Sequence, residues 1–400
     1  MNSQQETMRI EDTHTPPFFQ KLPIAIERGD GVRVWDQTGK EYMDFTAGWG
    51  VTCIGHASPV ITKALLEQSQ KIVQNPSSGL TYSPARAQLL QLLTTILPSN
   101  LTRVFFGSSG AEVNDAVIKL ARKITGRLDV VSSLKSFHGR TISTASATGQ
   151  TKHRERFNPL MPNYKFVAYN DLTAMDAALD EHVAAVVLEP IQGEGGINLP
   201  SPDYLEGVSK LCQQRGALLI IDEVQTGFCR TGSMFAVDGL DLHIDFLTMA
   251  KGIAGGFPFA AFAMSEELSA KVEKGDHGGT YCGNPLGCAV AHAVINYLIE
   301  HDIATHSAKL GAKLLARLQE WQARYPNLIK EVRGKGLLLA LEISSPEIAS
   351  KIYFDALEAG VMLNITQGNV IRIFPALTIT NAEADEGLTI IEPIFARAAS

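Results

Sequence analysis

Between Arg103 and Met249 the chain alternates short apolar runs with amphipathic text, and this alternation restricts the fold more than any other feature. RVFF leads through the small-residue turn GSSGAE into the helix-like VNDAVIKLARKI, and further apolar runs follow at 129–132, 165–169, 184–188, 217–221 and 245–249. Strands separated by helices pair in parallel through crossover connections, since a tight turn can only reverse a strand. The expected class is therefore α/β. In such sheets ligands gather beyond the carboxyl ends of the strands, so the loops after these runs are where chemistry is sought.

The flanks read differently. GVRVWDQTGKEYMDF predicts two short strands around a turn at Thr38-Gly39, and prolines open helical stretches at 59–72 and 84–97. A long helical region spans 285–321 with a break near His301 and Asp302. Beyond it, LIKEVRGKGLLLALEI, VMLNI and NVIRIF read as strands, with helices at 346–360 and 381–397, a smaller α+β unit. No internal repeat or low-complexity linker separates the two.

Composition excludes several classes. The 400 residues are 45% hydrophobic and 19% charged, enough apolar content for a large core and too much for disorder. Acidic residues outnumber Lys and Arg by 42 to 35, so no broad cationic field invites nucleic acid. The run 252–264 falls short of the roughly 18 apolar residues of a membrane span and is broken by Gly and Pro. The opening MNSQQETMRIEDTHTPPFFQ has no apolar core of a secretory signal, and five scattered cysteines form no C-x-x-C pair. The expectation is a cytoplasmic protein with reduced thiols and no bound metal.

Three motifs carry chemistry. ALLIIDEVQTGF delivers Asp222 and Glu223 from the end of an apolar strand, where an acid can bind metal, act as a base, hold a cationic nitrogen, or simply cap a turn. Lys251 is the single charge in FLTMAKGIAGGFPFAAFAM; apolar surroundings lower an amine's pKa and suit Schiff-base chemistry, while the alternative is a lysine snorkelling at a strand end. GSSGAE would present the amides of Ser109, Gly110 and Ala111 at a helix N-terminus, fit for one phosphate group or for nothing more than a cap. No G-x-x-x-x-G-K-[ST] or strand-borne G-x-G-x-x-G is present, so a nucleotide and a nicotinamide dehydrogenase are unsupported. A phosphate cradle, a strand-end acid and a lysine together are the parts that hold pyridoxal phosphate, with the acid keeping the pyridine nitrogen protonated.

FFGSSGAEVNDAVIKLARK, FHGRT, LEPIQGEGG, LIIDEVQTGFCRTG, MAKGIAGGFP and GGTYCGNPLGC, in that order, make the chain resemble the class III (ω-) aminotransferases of the fold type I pyridoxal-phosphate enzymes, most closely the acetylornithine and ornithine aminotransferase group. The resemblance implies a large domain with a mostly parallel seven-stranded sheet and helices on both faces, at 51–305, and a small α+β domain at 306–400 joined by residues 1–50. It implies that Lys251 bonds the cofactor and shuttles a proton, that Asp222 pairs with the pyridinium, and that Ser109, Gly110 and Ala111 bind its phosphate. Phe137 would stack on the ring with His138 beside it, and Gln225 would meet the ring hydroxyl. Thr280 would reach the phosphate of a neighbouring subunit, making a homodimer with shared active sites. Arg372 resembles the arginine that takes the α-carboxylate of glutamate or 2-oxoglutarate, and Glu194 the gate acid that neutralises it for the other substrate. Arg140 would hold that second substrate's distal carboxylate or form a structural salt bridge.

Phe19 and Trp49 stand where ornithine-specific members carry tyrosines, which weighs against plain ornithine; Phe137 in FHGRT favours the acetylornithine side over 4-aminobutyrate. The expected activity is transfer of an ω-amino group from N-acetylornithine or a similar diamino acid to 2-oxoglutarate, a pair of small-molecule substrates. The alternatives are a 4-aminobutyrate or other ω-amine aminotransferase, an aminomutase or racemase of the same fold, or a non-catalytic module that keeps the fold.

Overall fold

The computed structural model describes residues 3–399. After a helix at Ser3–His14, β1 (Ile26–Asp30), β2 (Arg33–Asp36) and β3 (Glu41–Asp44) form an antiparallel meander. The expected hairpin is there, with β1 added at its edge.

The central sheet then takes β4 (Leu101–Gly107), β5 (Asp129–Ser133), β6 (Tyr164–Val167), β7 (Val183–Leu188), β8 (Leu218–Asp222), β9 (Phe246–Met249) and β10 (Ala260–Ser265), in the order β4-β10-β9-β8-β7-β5-β6. The four pairings from β9 through β8, β7 and β5 to β6 are parallel; β10 runs against both neighbours, so β4 again points with the rest. Seven strands, mostly parallel, match the expectation. The weakly polar run after Lys251 is thereby explained: its second half is β10, apolar because both its faces are covered.

Period-2 alternation assigns the faces. Val130, Val187, Ile220 and Phe246 pack with Val113, Val117 and Leu120 of the helix Gly110–Thr125. Their neighbours Val131, Val186, Leu219 and Leu247 join Met175, Leu205 and Val208 on one side of the chain and Val290 and Val294 of the helix Pro285–Glu300 on the other. Every residue of β7 is buried, as a strand sandwiched between two helix layers requires.

The chain end supplies β11 (Ile329–Lys335), β12 (Leu338–Ile343), β13 (Val361–Met362), β14 (Asn364–Thr366) and β15 (Val370–Ile373). β11, β12, β15 and β14 form one sheet, while β13 pairs in parallel with β3, Val361 beside Met43 and Met362 beside Asp44. The first and last parts of the chain thus share a sheet. Among the described residues no helix is long and apolar enough to cross a membrane.

Candidate active site

All strands of the central sheet except β10 end on one edge, and the loops beyond that edge enclose a cavity of about 430 Å³. Asp222 is the last residue of β8, Lys251 follows β9 by two positions, Glu189 follows β7 directly, and Phe137 and His138 lie in the loop after β5. Ser109, Gly110 and Ala111 follow β4. All these line the cavity, as do Arg140, Glu194 and Gln225.

The helix Gly110–Thr125 starts where Ser109 Oγ accepts from Glu112 N–H at 3.3 Å and Glu112 Oε2 accepts from Ser108 N–H at 2.7 Å. The earliest amide returned to the helix ladder is that of Val113, bonded to Ser109 O. The N–H groups of Gly110 and Ala111 precede it and have no intrahelical acceptor, which leaves them for a ligand. A Cβ on Gly110 would stand 2.8 Å from Val224 Cγ1, so glycine lets the helix start close to the turn after Asp222.

Asp222 is 3% exposed and both of its carboxylate oxygens have partners within the protein, with acceptor capacity left on Oδ1. Oδ2 accepts from Asn114 Nδ2 at 2.7 Å and lies 2.7 Å from His138 Nδ1; Oδ1 accepts from Val224 N–H at 3.0 Å. Asn114 is itself oriented by Thr248 Oγ1, which donates to its Oδ1 at 2.7 Å. Burial, the largest single influence, would lower the His138 pKa, but the bond to Asp222 together with the charges of Asp222 and Glu189 outweighs it and the net direction is upward. The next residue, Glu223, points elsewhere: Thr226 Oγ1 and Val237 N–H donate to it, and burial lifts it to about 8.

Lys251 has φ +43, a left-handed conformation uncommon for a residue with a Cβ and typical of sites where the backbone is constrained to aim a side chain. Burial pushes its amine below the usual lysine range, with the Glu194 charge acting in the opposite direction. Arg372, on β15 and 1% exposed, donates from Nη1 to Glu194 Oε1 at 2.7 Å and from Nε to Asn364 Oδ1 at 2.6 Å. Burial would raise Glu194, but Arg372 and then Lys251 prevail and hold it at about 2. Gln225 Nε2 also donates to Glu194, at 3.2 Å.

Two expected residues lie at a remove. Trp49 and Phe19 do not line the cavity; their ring centroids are 6.2 Å apart, Phe19 is 5.8 Å from the Arg140 guanidinium, and Arg140 is 5.5 Å from the Phe137 ring, so they join the cavity through Arg140. Trp49 sits in a left-handed turn, with φ of +43, +57, +64 and +81 from Ala47 to Gly50. Asp44 secures its start, Oδ1 accepting from Thr46 N–H, Thr46 Oγ1 and Ala47 N–H. At its end a Cβ on Gly50 would lie 2.4 Å from Phe374 Cζ. Thr280 lies outside the cavity of its own chain, its carbonyl accepting from Ser78 Oγ and Gln74 Nε2.

Sequence reasoning missed Glu189 and Asn114. Glu189 accepts from Phe137 N–H at 2.9 Å and Gly193 N–H at 3.1 Å, tying the loop after β5 to that after β7, and burial lifts it to about 7. Its position directly after an all-apolar strand was the available signal. Asn114, mid-helix, gave none. Among the described residues no group of three or more His, Cys, Asp or Glu is placed to hold a metal ion.

The aminotransferase class-III family model matches residues 17–395. The acetylornithine aminotransferase of Methanothermobacter thermautotrophicus is 41% identical over 97% of both chains, and that of Caldanaerobacter subterraneus subsp. tengcongensis 38% over 94% of this chain and 96% of its own. Among solved structures, the ornithine aminotransferase of Toxoplasma gondii superposes with a TM-score of 0.94 at 31% identity, covering 99% of this chain and 96% of that one. The acetylornithine aminotransferase of Elizabethkingia anophelis gives 0.88 at 30% identity, with 99% and 100% coverage.

Proposed function

The chain belongs to the class-III aminotransferase family, and on that premise we propose that it transfers an ω-amino group from N-acetylornithine, or a similar N-acylated diamino acid, to 2-oxoglutarate, giving glutamate and a semialdehyde. The observation that carries this reading is the buried Arg372, which lies behind the cavity lining and is paired with Glu194, itself a lining residue of the cavity that also holds Lys251. A fixed cation that is neutralised from within suits a pocket that must take an α-carboxylate in one half-reaction and a different group in the other. The names of the similar enzymes support the acylated donor.

The family implies pyridoxal 5′-phosphate, and the residues fit it. The free amides of Gly110 and Ala111, with Ser109, would hold the phosphate; Phe137 would cover a ring face; Gln225 would meet the ring hydroxyl; Asp222 would face the pyridine nitrogen. When bound, the cofactor supplies an aldehyde for amines and a ring that accepts electrons as the C–H bond beside nitrogen breaks. Lys251, its pKa lowered by burial, takes the proton at Nζ and returns it on the other side of the reacting system. Asp222, held by Asn114, His138 and the Val224 amide, keeps its charge fixed where a ring proton must stay. Arg372 orients the acceptor's carboxylate by paired N–H donors.

The position of Thr280 outside its own cavity supports a homodimer in which it completes the neighbouring site. The pairing of β3 with β13 supports assigning residues 1–50 to the small domain with 306–400, around a large domain at 51–305. Five unpaired cysteines support a reducing compartment, the cytoplasm.

The test is an amine-donor screen with 2-oxoglutarate, following glutamate. N-acetylornithine should be the best donor and a 2-oxo acid should be required. Glutamate from 4-aminobutyrate but not from N-acetylornithine would overturn the donor assignment, and turnover without a 2-oxo acid would point to an aminomutase or racemase.

A further inference from the structure

If Glu194 must leave Arg372 when the acceptor arrives, something has to move and something has to stay. The main chain around Glu194 is held from several sides. Its carbonyl accepts from Thr366 Oγ1 and from Gln367 Nε2, both at 2.6 Å. Gly193 N–H donates to Glu189, and Gly196 O accepts from Arg333 Nη2 at 2.7 Å. Gln192 and Asn198 exchange backbone bonds across the loop base. The Glu194 side chain, by contrast, is 29% exposed against 1% for Arg372.

Arg372 has a second, independent restraint. In the antiparallel pair of β14 and β15, Asn364 is the direct register partner of Arg372, and its Oδ1 takes the Nε hydrogen at 2.6 Å. Cross-strand partners on one face stand close enough to fix one another's rotamers. The Nε bond does not involve Nη1, which donates to Glu194 at 2.7 Å and lies at longer range from Gly193 O (3.4 Å) and Gln225 Oε1 (3.5 Å), so the carboxylate that Nη1 meets can be exchanged while Nε stays held. Asn364 and Thr366 are two positions apart and so lie on the same face of β14. One three-residue strand therefore holds the side chain of the cation and the main chain of the acid.

We infer that β14 and the residue after it register this site: Asn364 keeps Arg372 stationary as the carboxylate anchor, while Thr366 and Gln367 pin the backbone of Glu194. Asn364, Thr366 and Gln367 are positioning residues for acceptor selection. This rests on the assignment of Arg372 and Glu194 given above.

The two half-reactions of the holoenzyme separate the possibilities. For Asn364→Leu, the KM for 2-oxoglutarate in the acceptor half-reaction, and the inhibition constant of the unreactive dicarboxylate glutarate, should each rise about tenfold or more, since a bond to a charged group is lost. The rate and KM of the donor half-reaction should stay within about twofold, which also certifies a folded, loaded enzyme. Asn364→Asp, which keeps the acceptor atom but adds a charge, should leave Arg372 in place yet weaken glutarate further. Arg372→Lys is the control: if it leaves the acceptor KM unchanged, the underlying assignment fails, whereas a rise there with none in Asn364→Leu overturns the positioning role alone. Hydrogen exchange at 192–198 should be unaltered by saturating glutarate in the wild type; faster exchange would overturn the pinning of this segment by Thr366 and Gln367.

Discussion

Asp222 Oδ2 and His138 Nδ1 lie 2.7 Å apart with almost no solvent at either, and Asn114 Nδ2 meets the same oxygen. The carboxylate is thus oriented before any ligand arrives, which is how a preorganised charge contributes most to a reaction. Asp222→Asn should lower transamination by about 10²- to 10³-fold, and Asn114→Ala by about tenfold, with thermal midpoints of the loaded enzymes close to wild type. Comparable loss in both variants would indicate that Asn114 does more than orient its neighbour.

Lys251→Ala should reduce turnover to background and remove the borohydride-dependent mass gain on the peptide containing position 251, measured by mass spectrometry. Retained transamination would defeat the assignment of this residue.

The depressed Glu194 pKa sets a pH window. A carboxyl held at about 2 in the folded state and 4.5 outside it contributes stability that is complete above about 4.5 and is lost as pH falls toward 2. In the cofactor-free protein, the thermal midpoint of wild type should therefore fall more steeply between pH 5 and 3 than that of Glu194→Gln. Parallel curves would show that the pair with Arg372 is not formed in solution.

Trp49 occupies a backbone conformation that costs a residue with a Cβ about 1–2 kcal/mol. Trp49→Gly should relieve this while losing the contact with Phe19, so the thermal midpoint should move little, and the KM for the amine donor should change by several-fold with that for 2-oxoglutarate unaffected. Equal shifts in both constants would place Trp49 outside donor selection.

Mixing subunits tests the proposal that Thr280 completes a neighbouring subunit's site. Thr280→Val and Lys251→Ala, each nearly inactive alone, should recover about a quarter of wild-type activity after random exchange, because half of the dimers are mixed and each has one intact site. No recovery in demonstrably mixed dimers would mean that Thr280 serves its own chain.

Much of the scaffold was legible because strands buried on both faces and helices buried on one leave different periods: β5, β7, β8 and β9 fall within a residue or two of their apolar runs, and the break at Asp302 falls between two helices. β10 was not, since an apolar stretch with Gly and Pro before it has no period to separate strand from loop. The helix Ser3–His14 buries no residue and so leaves no apolar stripe to detect. Asp222 and Lys251 were readable as charges at the ends of apolar runs. Asn114 depends on a partner 108 positions away, and the left-handed turn of Trp49 on Phe374, both relationships that exist only after folding.

The pairing of β3 with β13 has a consequence for synthesis on the ribosome. Met43 and Asp44 cannot find Val361 and Met362 until roughly 320 further residues have been translated, about 15–60 s at ordinary elongation rates. During that interval the β1–β3 meander carries an open edge while β4 through β10, contiguous in the chain, can already assemble. A polypeptide truncated before residue 361 would keep that edge exposed, and aggregation of such fragments, rather than of the finished protein, is the hazard this topology creates.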